Sequence, residues 1–135
     1  MAPTTRFLAA TALLSLALVS YGSSAAAADS WSVAHGTAEA SGTTRPVEMG
    51  GLHGPGLAVE GELRTTGPGC STLWIQWAED LTVGPPFRMG TRCGAGSIPV
   101  RFVRPAGLGQ TWVKLCNDTN PEAPHANCSE PRYVR

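Results

Sequence analysis

Glycine and proline interrupt this sequence so often that no helical domain is expected. The chain holds 16 glycines and 11 prolines in 135 residues, and after residue 28 no segment keeps a 3.6-residue apolar period for three turns. Short runs instead alternate apolar and polar residues, as strands with one buried face do. The sequence therefore predicts an all-β fold, a small antiparallel β-sandwich of about seven short strands, at residues 31–35, 57–65, 71–78, 87–91, 97–103, 111–116 and 132–135.

One stretch of the chain lacks a clear pattern. Residues 36–56, GTAEASGTTRPVEMGGLHGPG, are rich in small residues and show no sustained apolar alternation. We expect a long loop or an edge of the sheet there.

The first 28 residues have the layout of a secretory signal peptide. Arg6 precedes an apolar run at 7–19, and small residues follow up to Ala28. The run is shorter than the roughly 20 residues that span a bilayer, which disfavours a membrane anchor. We expect cleavage after Ala28 and a secreted, extracellular single domain at 29–135, with no membrane association after cleavage. The predominance of arginine over lysine is typical of a high-GC bacterial genome.

All four cysteines lie in the expected mature domain, at Cys70, Cys93, Cys116 and Cys128. An even number of cysteines in a small exported domain indicates disulfides. Three pairings are possible, and proximity along the chain favours Cys70–Cys93 and Cys116–Cys128. No C-x-x-C spacing supports the alternative of a zinc site.

Several functional classes find no support. The chain carries ten basic and ten acidic side chains, so no basic field would attract nucleic acid. His35, His53 and His125 show no metal-ligand spacing, and no serine lies in a G-x-S-x-G elbow. We therefore expect no enzyme activity, no metal and no cofactor.

The leading hypothesis is a non-catalytic binding or interaction module whose partner is an extracellular protein or glycan. The alternatives are a structural protein of the cell or spore surface, a secreted enzyme inhibitor and, less favoured, a small hydrolase whose histidines converge only in the fold.

The segment between Cys70 and Cys93 allows two strand registers. With the cysteines opposed, apolar side chains would lie on both faces of the hairpin. A shift of one residue places Leu73, Ile75 and Trp77 on a core face, and we favour this register because burial sets strand register. It requires at least one cysteine to lie in a bulge or beyond the ladder.

The favoured register also predicts a candidate binding site. Trp74 would lie on the outer face across from Gly90, with Arg88 and Arg92 on the diagonals. Tryptophan and arginine dominate binding hot spots, so these three side chains are the candidate binding residues. The competing interpretation is structural, since an aromatic ring can cover the bare backbone of a cross-strand glycine.

The second cysteine pair also sets a register. Opposing Cys116 to Cys128 predicts that Lys114 faces Glu130 and that Trp112 faces Arg132.

The segment CSTLWIQWAED (70–80) locally resembles the first strand of the small bacterial α-amylase inhibitors of the tendamistat type. Those proteins are also secreted β-sandwiches with two disulfides, and their inhibitory motif is Trp-Arg-Tyr. Here the matching positions are Trp77, Ala78 and Glu79, and the cysteine spacings differ. We therefore do not assign the chain to that family and carry no inhibitory residue over.

Overall fold

The computed structural model describes residues 28–51, 54–107, 109–117 and 127–135. The predicted signal peptide at 1–28 lies almost wholly outside the described residues, as do His53 and His125. In the described part of the chain, no helix is long and apolar enough to cross a membrane.

The described residues form an all-β fold of nine strands in two antiparallel sheets, held by two disulfides. The predicted fold class is therefore confirmed. The strands are β1 (Asp29–His35), β2 (Ala38–Glu48), β3 (Pro55–Thr65), β4 (Cys70–Glu79), β5 (Thr82–Val83), β6 (Phe87–Cys93), β7 (Gly96–Pro105), β8 (Thr111–Cys116) and β9 (Arg132–Val134).

The first sheet has the order β1-β2-β3-β7, and the second is built around β4. Strand β8 pairs along one edge of β4 and is followed by β9, while β5 and β6 pair with β4 on its other side. The core lies between the sheets. Its buried side chains come from alternate positions of both sheets: Trp31, Val33, Ala38, Ala40, Val59, Leu63 and Val100 from the first, and Leu73, Ile75, Val113, Leu115 and Val134 from the second.

Strand β2 corrects the prediction of a long loop or edge at 36–56. It pairs with β3 along its whole length, and its residues 38–44 pair with β1 on the other side. Its inward positions are Ala38, Ala40, Gly42 and Thr44, which are small and only weakly apolar. The side chains of β2 alternate between buried and exposed, but the sequence hardly shows it, because the buried positions hold small residues of low hydrophobicity.

Both predicted disulfides are confirmed, Cys70–Cys93 and Cys116–Cys128. Of the two side-chain pairs predicted beside the second disulfide, Trp112 with Arg132 is wrong, and Lys114 with Glu130 stays a prediction. Trp112 faces Tyr133 rather than Arg132, and Arg132 faces Val113. The ladder between β8 and β9 is therefore offset from the Cys116–Cys128 bridge.

Candidate functional site

The β4–β6 ladder contains two registers, separated by a bulge: the first is the cysteine-opposed register, and the second is shifted from it by one residue in the direction opposite to the favoured register. From Cys70 to Leu73 the cysteine-opposed register holds, so that Cys70 faces Cys93 and Leu73 faces Gly90. The register then shifts at Met89, and Trp74 faces Arg88. The predicted placement of Trp74 across from Gly90 is therefore wrong. The predicted face is right for Leu73 and Ile75, which are core residues, and for Met89, which packs against the core. It is wrong for Gly90 and Arg92, which lie opposite the inward residues Leu73 and Ser71.

The structure brings together two of the three predicted binding residues. Trp74 and Arg88 form a cross-strand pair, and Arg88 is exposed. Arg92 instead faces Ser71, which shares the inner face of β4 with Leu73, and its Nη2 donates to the carbonyl oxygen of Ala95. A binding role for these residues stays a prediction.

Trp74 itself is covered, with only 2% of its surface exposed. It borders a small crevice on the outer face of the second sheet together with Pro86, Trp112 and Lys114. The indole Nε1 is buried and has no hydrogen-bond partner. The outer face of the sheet is therefore a packed layer around this ring, with little of the indole available to a ligand.

Trp77, predicted to lie in the core, is only half-buried. It stacks on Phe87 with ring centroids 5.0 Å apart, and it lies 5.6 Å from Phe102 of the other sheet. The three rings line the margin of the sandwich. The alternation of apolar residues assigned Trp77 to the correct face of β4. At this end of the strand, however, the inner face is partly exposed to solvent.

A second candidate site lies at one end of the sandwich, where β3 and β8 begin and where β7 and β9 end. The cleft there has a volume of about 540 Å³. The residues that line it include apolar and polar residues and two arginines: Leu57, Arg104, Ala106, Gly107, Gly109, Gln110, Thr111, Tyr133, Val134 and Arg135.

Arg104 reaches the cleft because strand alternation places it on the inner face of β7. The inner positions of that strand are Ile98, Val100 and Phe102, followed by Arg104, which faces Leu57 of β3. Only 3% of Arg104 is exposed. Burial lowers the pKa of its guanidinium, and the negative charge of Glu79 partly opposes this shift.

The guanidinium of Arg104 is only partly satisfied by hydrogen bonds. Nη1 donates to the carbonyl oxygen of Pro105 at 2.7 Å, and Nη2 donates to that of Gly109 at 3.4 Å. These two bonds hold the connection between β7 and β8 against the end of the sandwich. Nε is buried and has no partner.

Thr111 adds a second unpaired polar atom to the same cleft. It faces Trp77 on one side and Val134 on the other, and 2% of it is exposed. Its Oγ1 is buried without a hydrogen-bond partner. Most buried polar atoms in proteins are hydrogen-bonded. Two unpaired atoms in residues that line the same cleft therefore make this end of the sandwich a candidate binding site.

Sequence reasoning missed this site although one signal was present. The alternation that predicted β7 continues one step beyond Phe102 and places an arginine at the next inward position. A charged residue is rarely buried fully unless it is paired. Thr111 gave no comparable signal, since a threonine at an inward strand position is common.

Metal or histidine chemistry finds no support in the described residues. His35 Nε2 lies 3.0 Å from Asn127 Oδ1, and within the described ranges no group of three or more His, Cys, Asp or Glu side chains could hold a metal ion.

Comparison with known proteins gives no relative for this chain. No protein-family model, no curated protein and no solved structure matches it.

Proposed function

We propose that this protein is a secreted, non-catalytic binding module and that it takes a small ligand in the end cleft. The observation that carries the proposal is the cleft itself. Its volume of about 540 Å³ falls within the roughly 300–1,000 Å³ typical of small-molecule sites. Its lining also has the usual character of such sites, which are largely apolar with a few polar groups.

The position of the cleft supports a preformed site. Its residues come from the ends of strands in both sheets and from the connection that Arg104 fixes through Pro105 and Gly109. Sites built on packed strands hold their side chains more precisely than sites on loops. A ligand would therefore meet groups that are already ordered, at a small entropic cost.

The chemistry of the lining supports binding rather than catalysis. Among the described lining residues none is Asp, Glu, His or Cys, the side chains that most often act as general acids, bases or nucleophiles. The two disulfides support an extracellular location, where such bonds persist.

A fragment screen by nuclear magnetic resonance tests the proposal on the purified, disulfide-bonded protein. Binders should shift the backbone amide signals of Gly107, Gly109 and Gln110. Ala106→Trp, which places a large ring at an exposed lining position, should remove those shifts. Ala95→Trp, at the opposite end of β7, is the matched control and should leave them. Shifts confined to other surfaces would contradict the proposal.

A second function, inhibition of a secreted enzyme, is favoured by the β4–β5 hairpin. Its tip presents Leu81 with 104% of its surface exposed, and exposed Val83 and Phe87 lie nearby in the chain. Asp80 and Leu81 both have positive φ, so the side chain projects from a defined two-residue turn. Exposed apolar surface of this kind can take part in a protein interface.

The inhibitor function predicts that Leu81→Asn abolishes inhibition of the target while preserving the fold, because asparagine also tolerates positive φ. The measurement is residual activity in a panel of secreted proteases and glycosidases. Inhibition that survives Leu81→Asn would remove the hairpin from consideration.

A further inference from the structure

We propose that the ligand of the end cleft is an organic anion, a small carboxylate with an apolar body, whose oxyanion accepts hydrogen bonds from Arg104 Nε and Thr111 Oγ1. The proposal rests on the proposed function, because it names the ligand class of the same cleft.

The first argument is the charge balance around Arg104. The three ion pairs among the described residues join Arg45, Arg64 and Arg101 to Glu60 or Glu39, so no described carboxylate lies within 4.0 Å of Arg104. Glu79 acts on it only from a distance. A buried charge without a close counter-ion is unfavourable, and an anionic ligand would supply one.

The second argument is the pair of unpaired polar atoms. Arg104 Nε can only donate a hydrogen bond, whereas Thr111 Oγ1 can donate or accept. An oxyanion accepts from both, and hydrogen bonds to a charged acceptor are stronger than neutral ones. The two Nη groups already hold Pro105 and Gly109, so the ligand would use the remaining edge of the guanidinium. Because Nε and Thr111 Oγ1 are both covered in the structure, binding would include a small side-chain movement that uncovers them.

The third argument concerns the rest of the ligand. Leu57, Ala106 and Val134 line the same cleft and are apolar. These groups would bury an apolar or aromatic body. An inorganic oxyanion would leave the apolar part of the cleft unused, and we therefore favour an organic carboxylate.

Benzoate, benzamide and inorganic sulfate form a matched set of probes. Benzamide keeps the ring and loses the charge, while sulfate keeps the charge and loses the ring. Titrations of the purified, disulfide-bonded protein by calorimetry and by amide shifts should show benzoate binding at least about tenfold more tightly than either of the others, which corresponds to one charge-assisted hydrogen bond. The shifts should fall at Gly107, Gly109 and Gln110.

Two substitutions assign the binding to the proposed atoms. Thr111→Val removes the hydroxyl at nearly constant volume, and it should weaken benzoate binding about tenfold while leaving the melting temperature unchanged or higher, because an unpaired buried hydroxyl is lost. Arg104→Lys keeps the charge but removes Nε, and it should abolish the preference for benzoate over benzamide. Arg101→Lys on the exposed face of the same strand is the control and should change neither.

The outcomes separate this inference from the function on which it rests. Equal binding of benzoate and benzamide in the cleft would overturn the anion and leave the binding function intact. Tighter binding of sulfate would replace the organic anion by an inorganic one. Binding of neutral fragments alone would likewise reject the anion, whereas a cleft that takes no probe at all would reject both.

Discussion

Trp31 of β1 lies directly across from Gly42 of β2, and Gly42 in turn lies across from Gly61 of β3. The large indole and the two bare backbones occupy one row on the inner face of the first sheet, where Trp31 is buried. An aromatic ring opposite a cross-strand glycine is the arrangement that we expected at Trp74 and Gly90. In the structure this arrangement occurs between β1 and β2, and the ring lies in the core.

The glycine pair should tolerate no side chain. A Cβ on Gly42 would collide with the carbonyl oxygen of Glu60, and one on Gly61 would collide with that of Ser41. Because both obstacles are backbone atoms, Gly42→Ala and Gly61→Ala should each lower the free energy of unfolding by about 3 kcal/mol. Urea denaturation measures the loss. Gly69→Ala, where a Cβ would meet open space, is the control, and an equal loss there would contradict the steric argument.

Leu81 should be a site where substitution stabilises the protein. Its φ of 68° is unfavourable for a residue with a Cβ by about 1–2 kcal/mol, and its exposed side chain offers no compensating burial. Leu81→Gly should raise the free energy of unfolding by about 0.5–1 kcal/mol, after the entropy cost of glycine is subtracted. Val83→Gly in the adjacent strand should lower it by a similar amount. Chemical denaturation of the two variants should move in opposite directions.

Trp74 and Trp77 should differ in their contributions to stability. Trp74 is covered, whereas Trp77 is half-buried. Trp74→Ala should therefore lower the free energy of unfolding by about 3–5 kcal/mol, the range for large buried aromatics, and Trp77→Ala should cost less. This order reverses the one that apolar parity alone would give. Thermal melts of the two variants decide it.

The two disulfides should contribute unequally. Cys70–Cys93 joins residues 23 apart in the chain and Cys116–Cys128 joins residues 12 apart. By the chain-entropy estimate each contributes about 3 kcal/mol, and the longer loop about 0.5 kcal/mol more. Paired serine substitutions, Cys70→Ser with Cys93→Ser and Cys116→Ser with Cys128→Ser, should show this order in denaturant titrations. A larger loss for the shorter loop would point to strain or contacts beyond loop closure.

Acid should weaken the first sheet through Glu60. Its carboxylate lies between Arg45 and Arg101, at 3.2 and 2.7 Å, and the hydrogen bond from Arg45, followed by the charge of Arg45 and the contacts of Arg101, lowers its pKa. A lowered pKa in the folded state means that the stabilisation is present above the ordinary glutamate pKa and is lost as the pH falls through the folded-state pKa. Glu60→Gln should flatten the fall in melting temperature over that acidic range, and Glu62→Gln on the same face is the control.

The seven predicted strands are all present, and most of them combine a period-two pattern of large apolar residues with turn residues at their ends. The two strands that the sequence did not reveal have other features. Strand β2 faces the core with alanine, glycine and threonine, and β5 has two residues that pair only with the end of β4.

The candidate sites were harder to predict for a different reason. The alternation of residues along a strand assigns each side chain to one face of the sheet, but it does not show how much of that face is buried by other side chains. Trp74 was assigned to the correct face, yet Pro86, Trp112 and Lys114 surround it there. The end cleft requires strand ends that are distant in sequence to meet, and only the complete pairing of β3, β7, β8 and β9 brings Arg104, Thr111 and Tyr133 together.

The bulge at Met89 divides β6 into two segments under separate constraints. On one side, Cys93 is fixed by a covalent bond to the start of β4, and on the other side Phe87 is fixed by its stack on Trp77. A ladder without a bulge could not meet both constraints. In the register that pairs Cys70 with Cys93, Phe87 would lie opposite Gln76 and on the outer face, away from the inner face that it occupies opposite Ile75. The single extra residue absorbs the mismatch, so a change in the aromatic margin need not alter the geometry of the disulfide. The two ends of this hairpin are thereby free to diverge independently in sequence.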